Sequence, residues 1–457
     1  MAEGADRPSV DVGRVHYAAR NWTGAYDALL TSAELPEDLE RLATAAFMID
    51  DPEQFFVALE RAHQGYLTRG DLLDACRCGR WIGLMRFQSG DMGQGSGWMA
   101  RVARLVEQHG AECVDIGYLR IPEMFMHEAQ RDFASGLTVA EEVTEIARRF
   151  DDADLFALAV FSEGQFLISL GRVDVGLSRL DEAMVALTAG ELSPIVSGIV
   201  YCGVILGCRA AYDVARATEW TAAMTRWCDE QQGLRAFSGR CHVHRAEILD
   251  LHGSWLDAIT EIDSIVAVTT DPETMAGANY LRGDLRRRQG RFDEAEAAYH
   301  EAKEFGREPQ PGLALLRLAQ GSTAASATMI GLALREISDT TARPPLLAGA
   351  VEILLAAGDT DAAAAASGEL TDIAAANPSR LLAGLAGHAA GQVALAASDP
   401  EAALPLLRSA ADGWRRLDAP YELARTRALI GVAARELGDT EGAAFEFAAA
   451  RTAFTEL

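Results

Sequence analysis

Four short runs in this chain bring together residue types that could do chemistry. Gly90-Asp91-Met92-Gly93-Gln94-Gly95-Ser96-Gly97 has the glycine density of a phosphate loop. Such a loop needs a strand before it and a lysine within it, so that backbone N–H groups and an ammonium meet the phosphates. Both are missing, and the run reads as a turn opening the helix from Trp98 to Val106. Cys241-His242-Val243-His244 offers metal-ligand types. On one helix Cys241 and His244 share a face, while His242 points elsewhere. Two ligands do not close a tetrahedral site, and no second cluster is evident, so no metal is expected. Cys76 and Cys78 point in different directions on a helix and match neither a redox pair nor a zinc knuckle. Asp151-Asp152-Ala153-Asp154 sits where a helix starts, and the helix dipole explains its carboxylates.

No Gly-x-Ser-x-Gly, His-Glu-x-x-His or P-loop lysine motif occurs, and no nucleophile has an evident base. The expectation is no catalytic residue and no cofactor. The formal charge of −26 argues against direct nucleic-acid binding, which needs clustered cations. Lys303 is the only lysine, and Arg286-Arg287-Arg288 is flanked by acids, as a solvated or ion-paired helix face would be. Met1 to Asp6 is polar and lacks the features of a secretory signal. The most apolar run, Ile195 to Cys208, is short of the roughly twenty residues of a membrane span. Seven scattered cysteines read as reduced, packed thiols. The expected location is cytoplasmic.

The elements that position these residues repeat. Turn slots fall at Gly90, Arg131, Gly171, Tyr212, Gly253, Gly290, Gly321, Gly358, Ser398 and Gly438, about forty residues apart in most cases. Arg131 and Tyr212 lack glycine and are placed by spacing and by the apolar helices around them. Seven positions before Gly90, Gly171, Gly253, Gly290, Ser398 and Gly438 stands a small residue, Gly83, Gly164, Ala246, Gly283, Gly391 and Gly431, while Val351 before Gly358 breaks the rule. Five positions after it stands another, as in Gly95, Gly176, Ala258, Ala295, Ala363, Ala403 and Ala443. Ala183, Ala302, Ala410 and Ala450 follow at twelve, and Leu180, Ile262, Tyr299, Leu407 and Phe447 at nine. Small residues let two antiparallel helices approach, and the large ones fill the gaps between pairs. Six of the seven tryptophans precede residue 260 and read as core, with a ligand groove as the alternative. A divergent first unit has Asn21-Trp22-Thr23-Gly24 in its turn slot, and Asp50-Asp51-Pro52 opens a helix.

The predicted fold is all-α: a right-handed superhelical solenoid of about ten antiparallel helix pairs. Prolines in Arg307 to Gly312 and in Thr341 to Pro345 interrupt the register. They divide the chain into an N-terminal helical-repeat block (1–306), an irregular bend with one short pair (307–345) and an alanine-rich block (346–457). With the small residue as register mark, the first helix of each pair turns Phe161, Gln165, Cys202, Arg209, Val243 and Glu247 inward. Tyr280, Asp284, Arg287, His388 and Gln392 follow further along. These line a curved trough open to a ligand or partner.

Tyr280-Leu281-Arg282-Gly283 followed by Gly290-Arg291-Phe292-Asp293-Glu294-Ala295, Tyr299 and Ala302 resembles the tetratricopeptide repeat, whose usual period of about 34 residues is shorter. The last third is similar to the sensor region of LuxR-type transcription regulators, of the MalT-like and actinobacterial kind. The likeness rests on Gly391, Ser398-Asp399-Pro400-Glu401-Ala402-Ala403, Ala419-Pro420-Tyr421-Glu422-Leu423-Ala424-Arg425 and Leu437-Gly438-Asp439-Thr440-Glu441-Gly442-Ala443. Those regulators carry a helix-turn-helix after the final repeat, and some a P-loop ATPase in front. Neither has a counterpart in these residues, so DNA binding is carried over to none of them.

The resemblance implies a non-enzymatic, signal-sensing or protein-binding module of such a regulator, without its DNA-binding domain. The expected partner is a protein or peptide, or a small-molecule ligand, with no membrane; a homodimer is left open. A free-standing adaptor is the second reading. An enzyme built in the groove, using Arg245, Glu247 and Arg287, is the third.

Overall fold

A computed structural model describes residues 9–267, 269, 271–337 and 342–457. The polar segment from Met1 to Asp6 and Thr341 lie outside the described residues. The rest is helical, with one isolated bridge between Asn21 and Gln232 and no strand among the described residues.

Among the described residues the helices come in twelve antiparallel pairs, where the spacing predicts about ten. The first three are α1 (Val10–Ala18) with α2 (Trp22–Ser32), α3 (Pro36–Met48) with α4 (Pro52–Arg69), and α5 (Leu72–Gln88) with α6 (Met92–His109). In the fourth, the first helix is broken into α7 (Asp115–Tyr118) and α8 (Ile121–Ala129), paired with α9 (Phe133–Phe150). Next come α10 (Ala153–Ser169) with α11 (Val173–Thr188), and α12 (Pro194–Ala210) with α13 (Val214–Asp229). Then follow α14 (Ser238–Leu251) with α15 (Trp255–Val266), and α16 (Pro272–Arg288) with α17 (Phe292–Glu304). The short α18 (Gly312–Ala319) and α19 (Thr323–Glu336) lie in the proline-containing stretch. The alanine-rich end holds α20 (Arg343–Ala356) with α21 (Thr360–Ala376), α22 (Arg380–Ala396) with α23 (Pro400–Arg416), and α24 (Pro420–Glu436) with α25 (Thr440–Glu456).

One turn chemistry closes the pairs. All ten turn slots named above have a left-handed backbone, with φ from 57° at Tyr212 to 85° at Gly438. Glycine does this without strain; Arg131, Tyr212 and Ser398 do it at a cost of about 1–2 kcal/mol each. The turn ties off two carbonyls of the first helix. Gly90 N donates to Phe87 O at 3.0 Å and Asp91 N to Arg86 O at 2.9 Å. The next residue is often an aspartate that caps the second helix. Asp91, Asp132, Asp359, Asp399 and Asp439 each accept from the backbone N–H three residues on. Each such cap stabilises by about 1 kcal/mol. The first unit turns at Arg20, and Asn21 is the cap rather than the turn.

The small residues sit where two helices touch. A Cβ on Gly164 would stand 2.9 Å from Gly176 O, and one on Gly176 would stand 2.7 Å from Gly164 O. The large residues nine past the turn are core. Leu180, Ile262, Tyr299 and Leu407 are at most 1% exposed, and Phe447 in the final pair is half-buried. Trp22, Trp227, Trp255 and Trp414 are buried, and Trp81, Trp98 and Trp220 half-buried.

The chain divides into two compact units, Met1–Gly207 with Glu219–Ser238, and Cys208–Thr218 with Gly239–Leu457. In each, the first helices touch the last. In the first unit Trp22 N donates to Gln232 O at 2.9 Å and Trp22 Nε1 to Gln231 Oε1 at 3.0 Å. In the second, Trp255 packs on Tyr421 at 5.4 Å, and Gly253 abuts Pro420 and Leu457. There Asn377 Nδ2 also donates to Ala211 O at 3.2 Å, and Ser379 Oγ to Tyr212 O at 2.7 Å.

Two alanine substitutions separate close packing from helix propensity. Gly176→Ala drives a Cβ into backbone and should destabilise by about 1–3 kcal/mol. Gly97 lies in α6 with nothing within 4 Å of an added Cβ, so Gly97→Ala should stabilise by roughly 0.5–1 kcal/mol. Urea midpoints measure both; shifts of the same sign would contradict the close approach at Gly164.

Candidate functional site

In the second unit the first helices of successive pairs, α14, α16, α20, α22 and α24, turn a band of charged side chains toward one another. Arg209 enters the band from the end of α12. Its Nη2 donates to Glu247 Oε1 at 2.5 Å and its Nη1 lies 3.2 Å from His244 Nδ1. One turn on, Asp250 pairs with Arg288 at 2.6 Å. Asp284 takes Arg287 at 3.1 Å and the Tyr299 hydroxyl at 2.6 Å. Arg425 bridges Glu422 at 3.0 Å and Glu352 at 2.5 Å. Tyr421 presents its ring to Arg288 at 5.0 Å and to Arg425 at 5.8 Å. Arg307 lies over the Tyr280 ring at 4.1 Å. Protein surrounds this band, yet water still reaches it: exposure runs from 13% at Asp250 to 38% at Glu352. That is an ion-paired recess, largely shielded from water.

The electrostatics follow from enclosure. Burial pushes the Asp250 carboxyl up to about 6; Arg288 opposes this, and the neighbouring Asp284, Glu422 and Glu247 reinforce it. Burial also pushes Glu247 up, but Arg209, His244 and Arg307 outweigh it and hold that carboxyl below its ordinary range. Asp284 likewise ends below its ordinary range: burial is outweighed by Arg287, Arg288 and the Tyr299 hydroxyl. His388 is 7% exposed, and burial, with help from Arg425, pushes it down to about 3. Its tautomer can be argued. The Thr426 hydroxyl donates to Glu422 O at 2.8 Å, so at 2.8 Å it accepts from His388 Nδ1. Nε2 then carries a lone pair and has no hydrogen-bond partner.

Of the residues placed inward by register, Arg209, Glu247, Tyr280, Asp284 and Arg287 meet in this recess, and His388 joins it beside Glu422 and Arg425. Gln392 is half-buried on α22. Val243 is 7% exposed and packs with Trp255, Ile259 and Leu281 in the core beneath. In the first unit, Gln165 Nε2 donates to Gly203 O at 3.0 Å, and the Phe161 ring fills the space a Cβ on Gly203 would need. Cys202 is buried beside them. These three are taken up by packing on α12, whose glycines admit the neighbouring helix.

The other motifs resolve into local structure. Gly90 to Gly97 is the turn and first turns of α6. His242 and Arg245 both face Glu261, with His242 Nδ1 at 2.5 Å, while His244 belongs to the recess. Cys241 is buried. Burial pushes the Cys76 thiol up to about 12 and the Cys78 thiol higher. Asp152 caps α10 and accepts the Tyr118 hydroxyl at 3.0 Å. Arg286, Arg287 and Arg288 each pair with a different carboxylate, those of Glu294, Asp284 and Asp250.

Sequence reasoning misses Asp250, Arg288, Arg307, Glu352, Tyr421, Glu422 and Arg425. Two were within reach. Asp250 stands three before its turn, like Arg209 and Arg287, and Glu352 stands six before, like Glu247 and Asp284. Tyr421, Glu422 and Arg425 lie in the Pro-Tyr-Glu run on which the family resemblance rests.

No family model and no curated protein matches the sequence. Several solved structures superpose on it. The apo form of the quorum sensor NprR from B. thuringiensis does so with a TM-score of 0.40 and 12% identity, over 82% of this chain and 98% of that one. The Cut9–Hcn1 hetero-tetramer of the APC/C gives 0.43 and 15%, over 98% and 91%. A signal-transduction ATPase with a tetratricopeptide-repeat sensor from Pyrococcus horikoshii gives 0.38 and 13%, over 62% and 51%.

His388 and Asp250 bend stability in opposite directions with pH. A histidine pushed down to about 3 stays neutral in the fold while the unfolded chain protonates near 6.5, so its contribution is lost as pH falls through that window. A carboxyl raised to about 6 takes its proton earlier in the fold, so Asp250 favours the fold as pH falls from about 6 to 4. Replacing His388 removes the first effect and keeps the second. Between pH 6 and pH 4, His388→Gln should gain stability relative to the parent, on the order of 2 kcal/mol. Urea unfolding at the two pH values measures the difference; an unchanged gap would refute the buried neutral imidazole.

Proposed function

We propose that this chain is a non-enzymatic, signal-sensing helical-repeat module that binds a peptide, a protein segment or a small ligand in the recess of its second unit. One observation carries the reading. About ten charged groups are gathered on the inner edges of helices that could have met through apolar contacts. Replacing such pairs with well-packed apolar residues is often neutral or stabilising. Stability therefore gives little reason for them, whereas recognition of a polar partner does.

The finer reading is the sensor region of a LuxR-type regulator acting in transcription control. Its support is the run from Ala419 to Arg425, which carries the family likeness and supplies Tyr421, Glu422 and Arg425 to the recess. Signalling would work by a change of curvature, which requires a ligand with different affinity for two curvatures. The adaptor reading shares the same recess without the output.

Capture from cell extract separates these readings. Transcription complexes support the regulator, unrelated assemblies the adaptor. Arg209→Gln and Glu352→Gln change the two recess charges most open to water, at 36% and 38% exposure; Glu352→Gln leaves Arg425 paired with Glu422, and circular dichroism confirms that Arg209→Gln, which takes the cation from Glu247, still folds. Each should weaken a true recess partner about tenfold, the worth of a lost charge-assisted hydrogen bond. Small-angle scattering with that partner bound should differ from the free protein. Partners indifferent to both substitutions, with an unchanged scattering profile, would count against the recess as the binding site.

A further inference from the structure

One guanidinium in the recess has no carboxylate. Arg209, Arg287, Arg288 and Arg425 are all ion-paired. Arg307, in the segment between α17 and α18, makes no ion pair and no side-chain hydrogen bond among the described residues. It is half-buried and lies over the ring of Tyr280 at 4.1 Å. Stacking occupies the face of a guanidinium and leaves its fork of N–H donors unspent.

The surroundings of Arg307 are built. Gly277 is one turn before Tyr280 on α16, and a Cβ there would stand 3.4 Å from Val243 Cγ1 and 3.9 Å from Arg307 Nη1. Arg307 therefore reaches back over the seam between α14 and α16. Glu247 lies one turn after Val243 on the same face of α14. Its Oε1 takes Arg209, but its Oε2 is buried with no hydrogen bond, and His244 Nδ1 stands 3.5 Å from it. His244 is 5% exposed, and its Nε2 is also buried without a partner. Buried polar atoms without partners are uncommon in folded proteins and call for an explanation.

The unspent cation and the unspent carboxylate oxygen do not pair with each other. A group that satisfies both must bring an oxyanion to one and a charged N–H donor to the other. A dianion would meet Glu247 and a diamine would meet Arg307, each as a like charge. We propose that the niche formed by Glu247, Gly277, Tyr280 and Arg307 binds a small zwitterion of the α-amino-acid class. Its carboxylate lies on the Arg307 fork and its ammonium on Glu247 Oε2. The inference rests on the reading of the recess as a ligand site and adds the class of ligand.

Titration calorimetry of the full chain tests it, with the common α-amino acids as probes one at a time, each beside its N-acetyl and carboxamide forms. At least one free amino acid should bind, and both of its blocked forms should bind tenfold or more weakly. Arg307→Gln should erase the preference for acid over carboxamide, because the guanidinium it removes is the carboxylate's partner. This variant breaks no ion pair and gives up the stack on Tyr280, so its unfolding midpoint should fall slightly while circular dichroism shows it folded. Glu247→Gln should erase the preference for the free amine, and circular dichroism confirms that it folds. Binding by none of the amino acids, or equal preference in the parent and Arg307→Gln, would overturn the proposal. If Arg209→Gln and Glu352→Gln still release a captured partner while no amino acid binds, only the zwitterion falls. If partner capture ignores the recess as well, the recess reading falls with it.

Discussion

Everything in this chain depends on how close two antiparallel helices can come. Gly164 and Gly176 meet so tightly that neither tolerates a Cβ, because the other's carbonyl oxygen stands in the way. That contact fixes the rotation of both helices about their axes. The left-handed residue at each turn fixes where the first helix ends. Together they determine which residues of the first helix face inward. Positions three, six and ten before the turn then share an inner edge from pair to pair. The recess follows from this register: Glu247 and Asp250 on α14, Asp284 and Arg287 on α16, Glu352 on α20 and His388 on α22 all stand at these positions.

The recess is balanced although the chain is strongly acidic. The formal charge is −26, yet the inner edges carry arginines and carboxylates in near-equal number, joined in local pairs. Enclosed charges must be matched locally, because the desolvation of an unmatched one costs several kcal/mol. The surplus acid lies instead on outer faces, where water screens it. Balance inside is thus a requirement of enclosure. The places where matching fails, at Arg307, at Glu247 Oε2, at Arg288 Nε and at Nε2 of His244 and His388, stand out against it.

The turns were legible in the sequence because their chemistry is local. A glycine followed by an aspartate states both the end of one helix and the cap of the next, and spacing with the flanking apolar helices located Arg131 and Tyr212, which are left-handed without glycine. The inner register was legible for the same reason. What could not be read was contact between distant segments. Nothing near Trp255 announces Tyr421, and nothing near Tyr212 announces Ser379. Arg307 was hidden because it lies outside any helix, where register says nothing. The register also has no means of telling a free inner edge from an occupied one. Phe161, Gln165 and Cys202 point inward as spaced, but α12 carries Gly203 and lets that helix fill the space.

Closure of the second unit gives the network a mechanical meaning. Tyr421 touches Trp255 at 5.4 Å and Phe454 at 5.9 Å, and so ties α15 to the last pair. The same ring lies beside Arg288 and Arg425, whose carboxylate partners sit on α14, α20 and α24. A ligand that draws either arginine from its partner therefore changes the cation–π contacts of the residue that holds the first and last pairs together. Each such contact is worth about 0.5–2 kcal/mol, and a shift of 1.4 kcal/mol changes a two-state ratio tenfold. Contacts of that size are enough to couple occupancy of the recess to closure of the unit, provided the ligand favours one state over the other.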